Sequence, residues 1–379
     1  MSQALDTERN PTGVDGTLGF WAGLRTVFRM EFMQRMRSRS WYWMMGIWFV
    51  VIGLVTWAVV SSFRSYEAQS NGALQSGQLV FEAVLFFVLL FALLIAPAFA
   101  ANTISGDRQN GTLAIIQNTL LSPAQIIGGK WLAAWVSALA FLVVSLPFIL
   151  LSFALGGVDF SRVLLFVLML SFELLVMTGI GVAVSAVSIR PLFSVLGTYL
   201  LVALFAVGTL ISFGLGAQLS AQPEQAPYLE DVRYEPPQEI IESTDPNALN
   251  DWFNEQSKCS TGTTEMKVVH TERVTWLLAA NPFVMVADFA REPYRAGDQN
   301  DGELFTSISN GVRTAQAGPA YQYDCYTGMK RSELPDPQVV PIWPLGVGIQ
   351  VVFLGALLWW AHNRVRTPVK TLSRGMRIA

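Results

Sequence analysis

Hydrophobic and polar positions alternate on a long scale along this chain of 379 residues. Six apolar runs, at 41–60, 79–101, 131–155, 163–187, 192–219 and 339–361, are separated by polar stretches. A helix needs about 20 mostly apolar residues to cross a bilayer, and in lipid only helices and closed barrels satisfy their own backbone. The runs are continuous, without the short alternating segments of a barrel, so they predict six membrane-spanning helices. The fifth is longer than a crossing requires, which predicts a tilt or a frayed end. The first begins at Trp41, too late for a signal peptide, and is too long for the apolar part of one, so it reads as a retained span.

The polar stretches carry structure of their own. Residues 1–17 read as a tail. Over 18–38, Phe20, Trp21, Leu24, Val27, Phe28 and Phe32 share one arc of a helix, with Arg25, Thr26 and Arg29 on the other side. That pattern predicts an amphipathic helix lying on the inner leaflet. Glu31 falls within the apolar arc, so it either snorkels or pairs with Arg35 one turn on. Between the second and third runs, Thr112–Leu121 predicts a short helix with Leu113, Ile116 and Leu120 on one face. It stops at Ser122-Pro123, where Ser122 is an N-cap, Pro123 takes the first helical position and Gln125 completes a capping box. Further on, the apolar stretch 274–290 is interrupted by Asn281-Pro282, which predicts a re-entrant or interfacial pair of short helices.

Composition and charge fix the class and the orientation. Only 14% of residues are charged and 52% are apolar, against roughly 25% charged in ordinary soluble domains. The net charge of −3 points to no nucleic-acid partner. Residues 1–40, the 102–130 loop, the 188–191 turn and the tail after 361 together hold 14 Lys/Arg against five Asp/Glu, whereas 220–338 holds nine against 19. The positive-inside rule therefore places both termini in the cytoplasm and 220–338 outside. That segment contains the two cysteines, Cys259 and Cys325, and an oxidising exterior favours a disulfide between them. Closing a loop of that length stabilises by roughly 4 kcal/mol in the chain-entropy model.

The expected fold is thus an all-α polytopic membrane protein in four parts. Residues 1–40 form a cytoplasmic tail and amphipathic connecting helix. Residues 41–219 form spans one to five, with the loop 102–130. Residues 220–338 form a small extracytoplasmic domain with the interrupted segment 274–290. Residues 339–379 form the sixth span and a basic tail.

Candidate chemistry is sparse. Gly129-Lys130 is followed by Trp131 and lacks the spacing of a phosphate-gripping loop. His-Glu-x-x-His and Gly-x-Ser-x-Gly do not occur. Catalytic and metal sites are not expected, and neither is a cofactor on this chain. Two carboxylates fall within the spans. Glu82 lies in the first turn of the second, where interfacial water and the helix N-terminus make a charge inexpensive. Glu173 lies near the middle of the fourth, where a charge costs ~2.5 kcal/mol or more. It is either a substrate-pathway or proton-carrying group, or a carboxyl satisfied by a proton or by a facing helix.

These features together resemble an ABC-2 type (type V exporter) permease, the membrane half of an ATP-binding cassette transporter, and in detail its actinobacterial members. The resemblance rests on Asp107, Gly111-Thr112-Leu113, Ser122-Pro123 and Gly129-Lys130 between the second and third spans, on Asn281-Pro282-Phe283 before the last span, and on the Arg-rich tail from Arg364. Gln109 stands where members often carry Glu. The resemblance covers about two-thirds of the chain and implies a separate ABC ATPase subunit, with ATP and Mg bound there. That ATPase would dock on a coupling helix formed by Asp107, Arg108, Gln109, Gly111, Thr112, Leu113, Ile116 and Leu120. Glu31 and Arg35 would belong to the connecting helix, and a second permease copy or sister permease would complete the unit within membrane lipids. The cargo expected is lipophilic or amphipathic. Two alternatives differ in class: a mechanotransmitting subunit acting through its outer domain, and an ion-coupled carrier built on Glu173.

Overall fold

The computed structural model describes residues 19–67, 76–113, 121–155, 159–230, 236–241, 247–249, 252, 260–289, 304–318 and 340–366. Six helices in it are long and apolar enough to cross a membrane. The first helix, α1 (Phe20–Met36), precedes them. The first span is α2 (Arg39–Glu67) and the second α3 (Ser76–Ala100). A short helix α4 (Ser105–Gln109) follows, then the third span α5 (Pro123–Ala154) and the fourth α6 (Phe160–Val187). The fifth span is α7 (Pro191–Ala203), a π-helical turn (Leu204–Gly208) and α8 (Thr209–Leu219). The surplus length of the fifth apolar run thus includes a widened turn in mid-span, and the helix stays regular to Leu219.

Between the fifth and sixth spans lies an antiparallel ribbon, β1 (Ala221–Glu230) and β2 (Ser260–Val269), with Ala221 opposite Val269 and Glu230 opposite Ser260. One turn of helix, α9 (Gln238–Ile241), lies within the connection. Two 3-10 turns (Thr271–Arg273 and Thr275–Leu278), α10 (Pro282–Phe289) and α11 (Leu304–Ala317) lead to the sixth span, α12 (Trp343–Val365). The helical expectation holds for the bundle, and the ribbon is an addition to it. The break expected at Asn281-Pro282 separates the second 3-10 turn from α10. Cys259 and Cys325 lie outside the described residues.

The core forms where α3, α5 and α6 pack together, with α2 and α12 against them. The fourth span is the most enclosed and the fifth the least. Apolar burial does not select helix contacts in lipid, so small residues and interhelical hydrogen bonds do. A Cβ on Gly181 of α6 would come within 2.5 Å of the Cβ of Ala100 in α3. The indoles of Trp131 and Trp135 in α5 donate to the carbonyls of Leu175 and Ser171 in α6 at 2.8 and 3.0 Å, and Trp48 of α2 donates to Phe141 O and Ser145 Oγ. The expected capping box is present: Gln125 N donates to Ser122 Oγ and Ser122 N to Gln125 Oε1, with Pro123 at the first position.

Candidate functional site

The loop after the second span, α1 and the start of α5 meet at one end of the bundle. Gly23, Leu24 and Val27 of α1 face α5, where Gly128 leaves room for Leu24 and Gly129 for Val27. A Cβ on Gly129 would lie 2.6 Å from Val27 Cβ, and one on Gly23 would lie 2.6 Å from Gln125 Nε2. Gln125 also donates to the carbonyls of Gly19 and Phe20, which fixes the start of α1 on α5. Along the same face comes Glu31, one further turn on, and it neither snorkels nor relies on Arg35. It pairs with Lys130 of α5, whose side chain is 1% exposed. Lys130 Nζ also lies 2.6 Å from Asp107 Oδ2 of α4 and donates to Thr103 O at 3.2 Å. One buried ammonium therefore joins three elements distant in sequence.

Arg35 takes a different partner from the one the one-turn spacing offered. Its guanidinium donates to Phe99 O at 3.0 Å and lies over the Phe99 ring, 5.7 Å from the centroid. Burial lowers its pKa below the ordinary arginine value, partly opposed by the charge of Glu31. The last turn of the second span is thus fastened to α1 at Phe99.

The short loop itself is built from side-chain bonds to backbone. Ile104 N and Ser105 N both donate to Ser185 Oγ of α6 at 3.0 Å. Arg108 donates to Ala186 O at 2.9 Å and to Ser188 O, so a cation closes the C-terminus of α6, where the helix dipole favours one. Gly111 has φ +72°, a left-handed conformation that suits glycine and turns the chain after α4. Thr112 Oγ1 donates to Asp107 O at 3.2 Å. Gln109 and Thr112 are exposed.

Leu113 corrects the expectation of a solvent-facing stripe. It is only 5% exposed and packs in a cluster with Ile104, Ile127, Ala134 and Val365. Its apolar side chain is used by the fold, because the turn at Gly111 directs it back against α5 and α12. Thr112 and Leu113 are helical; Ile116 and Leu120 lie outside the described residues. Asp107 and Arg108, expected to face a partner, are both engaged within the chain.

The two carboxylates of the spans also have partners. Glu82 is not solvated: it is 1% exposed, 3.3 Å from Arg162 of α6, and accepts from Phe305 N of α11 at 3.0 Å. The helix start it was assigned to lies beneath α11, which removes water from it. Glu173, also 1% exposed, faces Gln350 of α12, whose Nε2 lies 3.3 Å from both carboxylate oxygens and 3.1 Å from Ala280 O. Asn281 continues this polar string. Its Oδ1 accepts from Phe283 N and Val284 N, capping α10, and its Nδ2 donates at 2.8 Å to Ala206 O, in the π-helical turn, and to Thr209 Oγ1. The fourth, fifth and sixth spans are thereby joined through the hairpin at 275–289.

Sequence reasoning named Gly129-Lys130 as part of the family motif, without a partner for Lys130, and did not single out Gln350 or Asp288. Asp288 of α10 accepts from Arg313 of α11, from Ile342 N at 2.7 Å and from Trp343 N at 3.2 Å, so it caps the sixth span. A lysine at the start of a span ordinarily snorkels outward. The one sequence signal against that for Lys130 is the flat Gly128-Gly129 surface before it, which admits a second helix. Among the described residues, groups of three His, Cys, Asp or Glu placed to hold a metal ion do not occur.

The family model described as "ABC-2 family transporter protein" matches residues 25–310. That range takes in α1 from Arg25 onward, the Lys130 cluster, the first five spans and the hairpin at 275–289. Curated proteins give no match to the chain.

Proposed function

The chain belongs to the ABC-2 family of transporters, and from that premise we propose that it is the exporting permease of an ABC system, driven by a separate ATPase that docks on its 102–130 loop. The observation that carries this reading is the cluster at Lys130. A force applied to α4 is passed through Asp107 and Lys130 to the start of the third span, and through Glu31 to α1. Lys130 also donates to Thr103 O, just after the second span. A loop that served only as a connector would need no buried ammonium shared by three elements, since desolvating it costs several kcal/mol.

In this reading the ATPase meets the exposed part of the loop around Gln109 and Thr112, together with the segment leading to Leu121. Ile116 and Leu120 remain the anchors proposed for its groove, while Leu113 holds the loop to the bundle from behind. Both termini face the cytoplasm, 220–338 lies outside, and a second permease copy or sister chain completes the unit. The thinly covered fifth span, with Phe193, Leu196, Leu200, Leu204, Val207 and Ile211 exposed, is free to meet lipid or that second chain. A lipophilic or amphipathic cargo suits such surroundings.

A mechanotransmitting role is a second reading, favoured by one observation. The outer helix α11 is fastened at Phe305 to Glu82 of the second span and at Arg313 to Asp288 of α10, which caps the sixth span, so span movements would be passed on to the segment outside. One experiment separates the readings. The chain is reconstituted with its ATPase in vesicles, and ATP-driven movement of a fluorescent amphipath is measured beside ATP turnover. Transport that follows turnover supports the exporter. Turnover without transport, with ATP-dependent change in the outer segment, supports the second reading. An isolated chain that hydrolyses ATP after removal of contaminating ATPases would overturn both.

A further inference from the structure

At the base of the ribbon, outside the six spans, His270 lies between two carboxylates. Its Nδ1 is 2.8 Å from Glu272 Oε1 and its Nε2 is 3.1 Å from Glu224 Oε1. An ionised carboxylate only accepts hydrogen bonds, and a neutral imidazole carries one N–H. Both contacts can therefore be hydrogen bonds only when the ring holds two protons. With one proton, a nitrogen lone pair would face a carboxylate oxygen.

We propose that His270 is a proton-dependent clamp that fastens the ribbon to the outer face of the bundle: closed by the imidazolium and released by the neutral ring.

The three residues belong to different parts of the outer segment. Glu224 is on β1, and Glu272 is in the turn that leaves β2. That turn is itself anchored, because Thr271 Oγ1 donates to Ala315 O of α11 at 2.8 Å and Thr275 Oγ1 donates to Thr271 O. Helix α11 is in turn held to the second span at Glu82 and to Asp288 of α10, which caps the sixth span. The imidazolium is thus, among the described residues, an ionic link between β1 and a turn that is tied to the membrane bundle. His270 is buried, whereas Glu224 and Glu272 are both exposed, so protons and water reach the clamp past its two carboxylates.

The other charged groups around the ring do not supply an alternative switch. On β1 there is also Glu230, at the far end of the ribbon. On β2, Glu265 and Lys267 are exposed. Within the turn, Arg273 Nε lies 3.9 Å from Glu272 Oε1. Arg313 is the one charged residue of α11 and is engaged by Asp288, and α8, packed on the second 3-10 turn, carries no charged residue. His270 is the one histidine in this set, and histidine is the side-chain type whose ordinary charge change falls between about pH 5 and 8. The clamp rests on geometry and is independent of the transport reading above.

The test uses the full chain in lipid nanodiscs. Hydrogen exchange of the ribbon amides is followed between about pH 5.5 and about pH 8 after correction for intrinsic rates. Isotope-labelled histidine reports the ring, and with two histidines in the chain the His270 signal is assigned by its loss in His270→Gln. In the wild type, ribbon exchange should rise by about tenfold as the ring loses its second proton, the change expected from losing one hydrogen bond to a charged group. His270→Gln should show the faster exchange at both pH values. Glu224→Gln, which alters an exposed position and keeps the ring, should remove most of the pH dependence and decides the matter where His270→Gln does not assemble. Ribbon exchange that is unchanged while the ring titrates, or that changes equally in Glu224→Gln and the wild type, would overturn the clamp.

Discussion

Lys130 and Glu31 are 99 positions apart and form a buried ion pair that joins the connecting helix to the third span. Asp107 shares the same ammonium. Removing one partner of such a pair leaves an uncompensated charge, which costs about 3–5 kcal/mol. Lys130→Met should therefore lower the unfolding temperature strongly, because it leaves two carboxylates facing each other. Adding Glu31→Gln and Asp107→Asn to Lys130→Met should recover part of the loss. Thermal unfolding followed by tryptophan fluorescence reads both, and a Lys130→Met protein that melts like the wild type would remove the cluster from the mechanism.

Leu113 tests whether the loop's apolar residues serve the fold or a partner. A buried Leu→Ala change costs about 2–5 kcal/mol through lost contact and a residual cavity. Leu113→Ala should destabilise the chain even in the absence of any ATPase. Thr112→Ala, at an exposed neighbour, should leave the unfolding temperature unchanged. Equal melting of Leu113→Ala and the wild type would restore Leu113 to the docking surface.

Glu173 meets an amide, so its shape matters at least as much as its charge. Glu173→Gln keeps an acceptor for Gln350 Nε2 and should assemble and melt like the wild type. Glu173→Ala leaves the Gln350 amide short of a partner in a buried site, a loss of about 1–3 kcal/mol. If Glu173→Gln instead assembles normally but loses transport, the carboxyl itself is used along the substrate or proton path, and the ion-coupled alternative gains ground.

Gly346 of the sixth span sits where the hairpin turn approaches most closely. A Cβ there would lie 2.0 Å from Ala279 O and 2.8 Å from Met285 Cγ. The obstacle is backbone and cannot rotate away. Gly346→Ala should push α12 from the hairpin, break the bond from Gln350 to Ala280 O and cost about 1–3 kcal/mol, as overpacking does. Gly355→Ala, in the same helix with open space around it, is the control and should leave stability unchanged.

Cys259 and Cys325 are expected to be bridged in protein taken from the membrane. Mass mapping under non-reducing conditions should yield one linked peptide pair. Alkylation of both thiols without prior reduction would remove the disulfide and weaken the outer placement of 220–338.

The six spans were legible in the sequence because the requirement is one-dimensional. A helix in lipid satisfies its own backbone, so about 20 apolar residues in a row announce it whatever surrounds it. The capping box at Ser122-Gln125 and the break at Asn281-Pro282 were legible for a similar reason: their chemistry acts over three or four residues. What the polar side chains inside the bundle do was decided by tertiary structure alone. Glu31 had a partner available at Arg35, one turn away, but α1 packs on the Gly128-Gly129 surface and brings it to Lys130 instead. Glu82 looked solvated until α11 covered it, and Leu113 looked exposed until the turn at Gly111 folded it inward. In each case a contact the local rule did not name replaced the expected one, as with Lys130 for Glu31, 99 positions away, and Phe305 for Glu82, 223 positions away. Sequence periodicity reports which face of a helix is apolar. Only the packed bundle reports what that face meets, because burial removes water as the default partner and makes the nearest charge or carbonyl, wherever it lies in the chain, the one that counts.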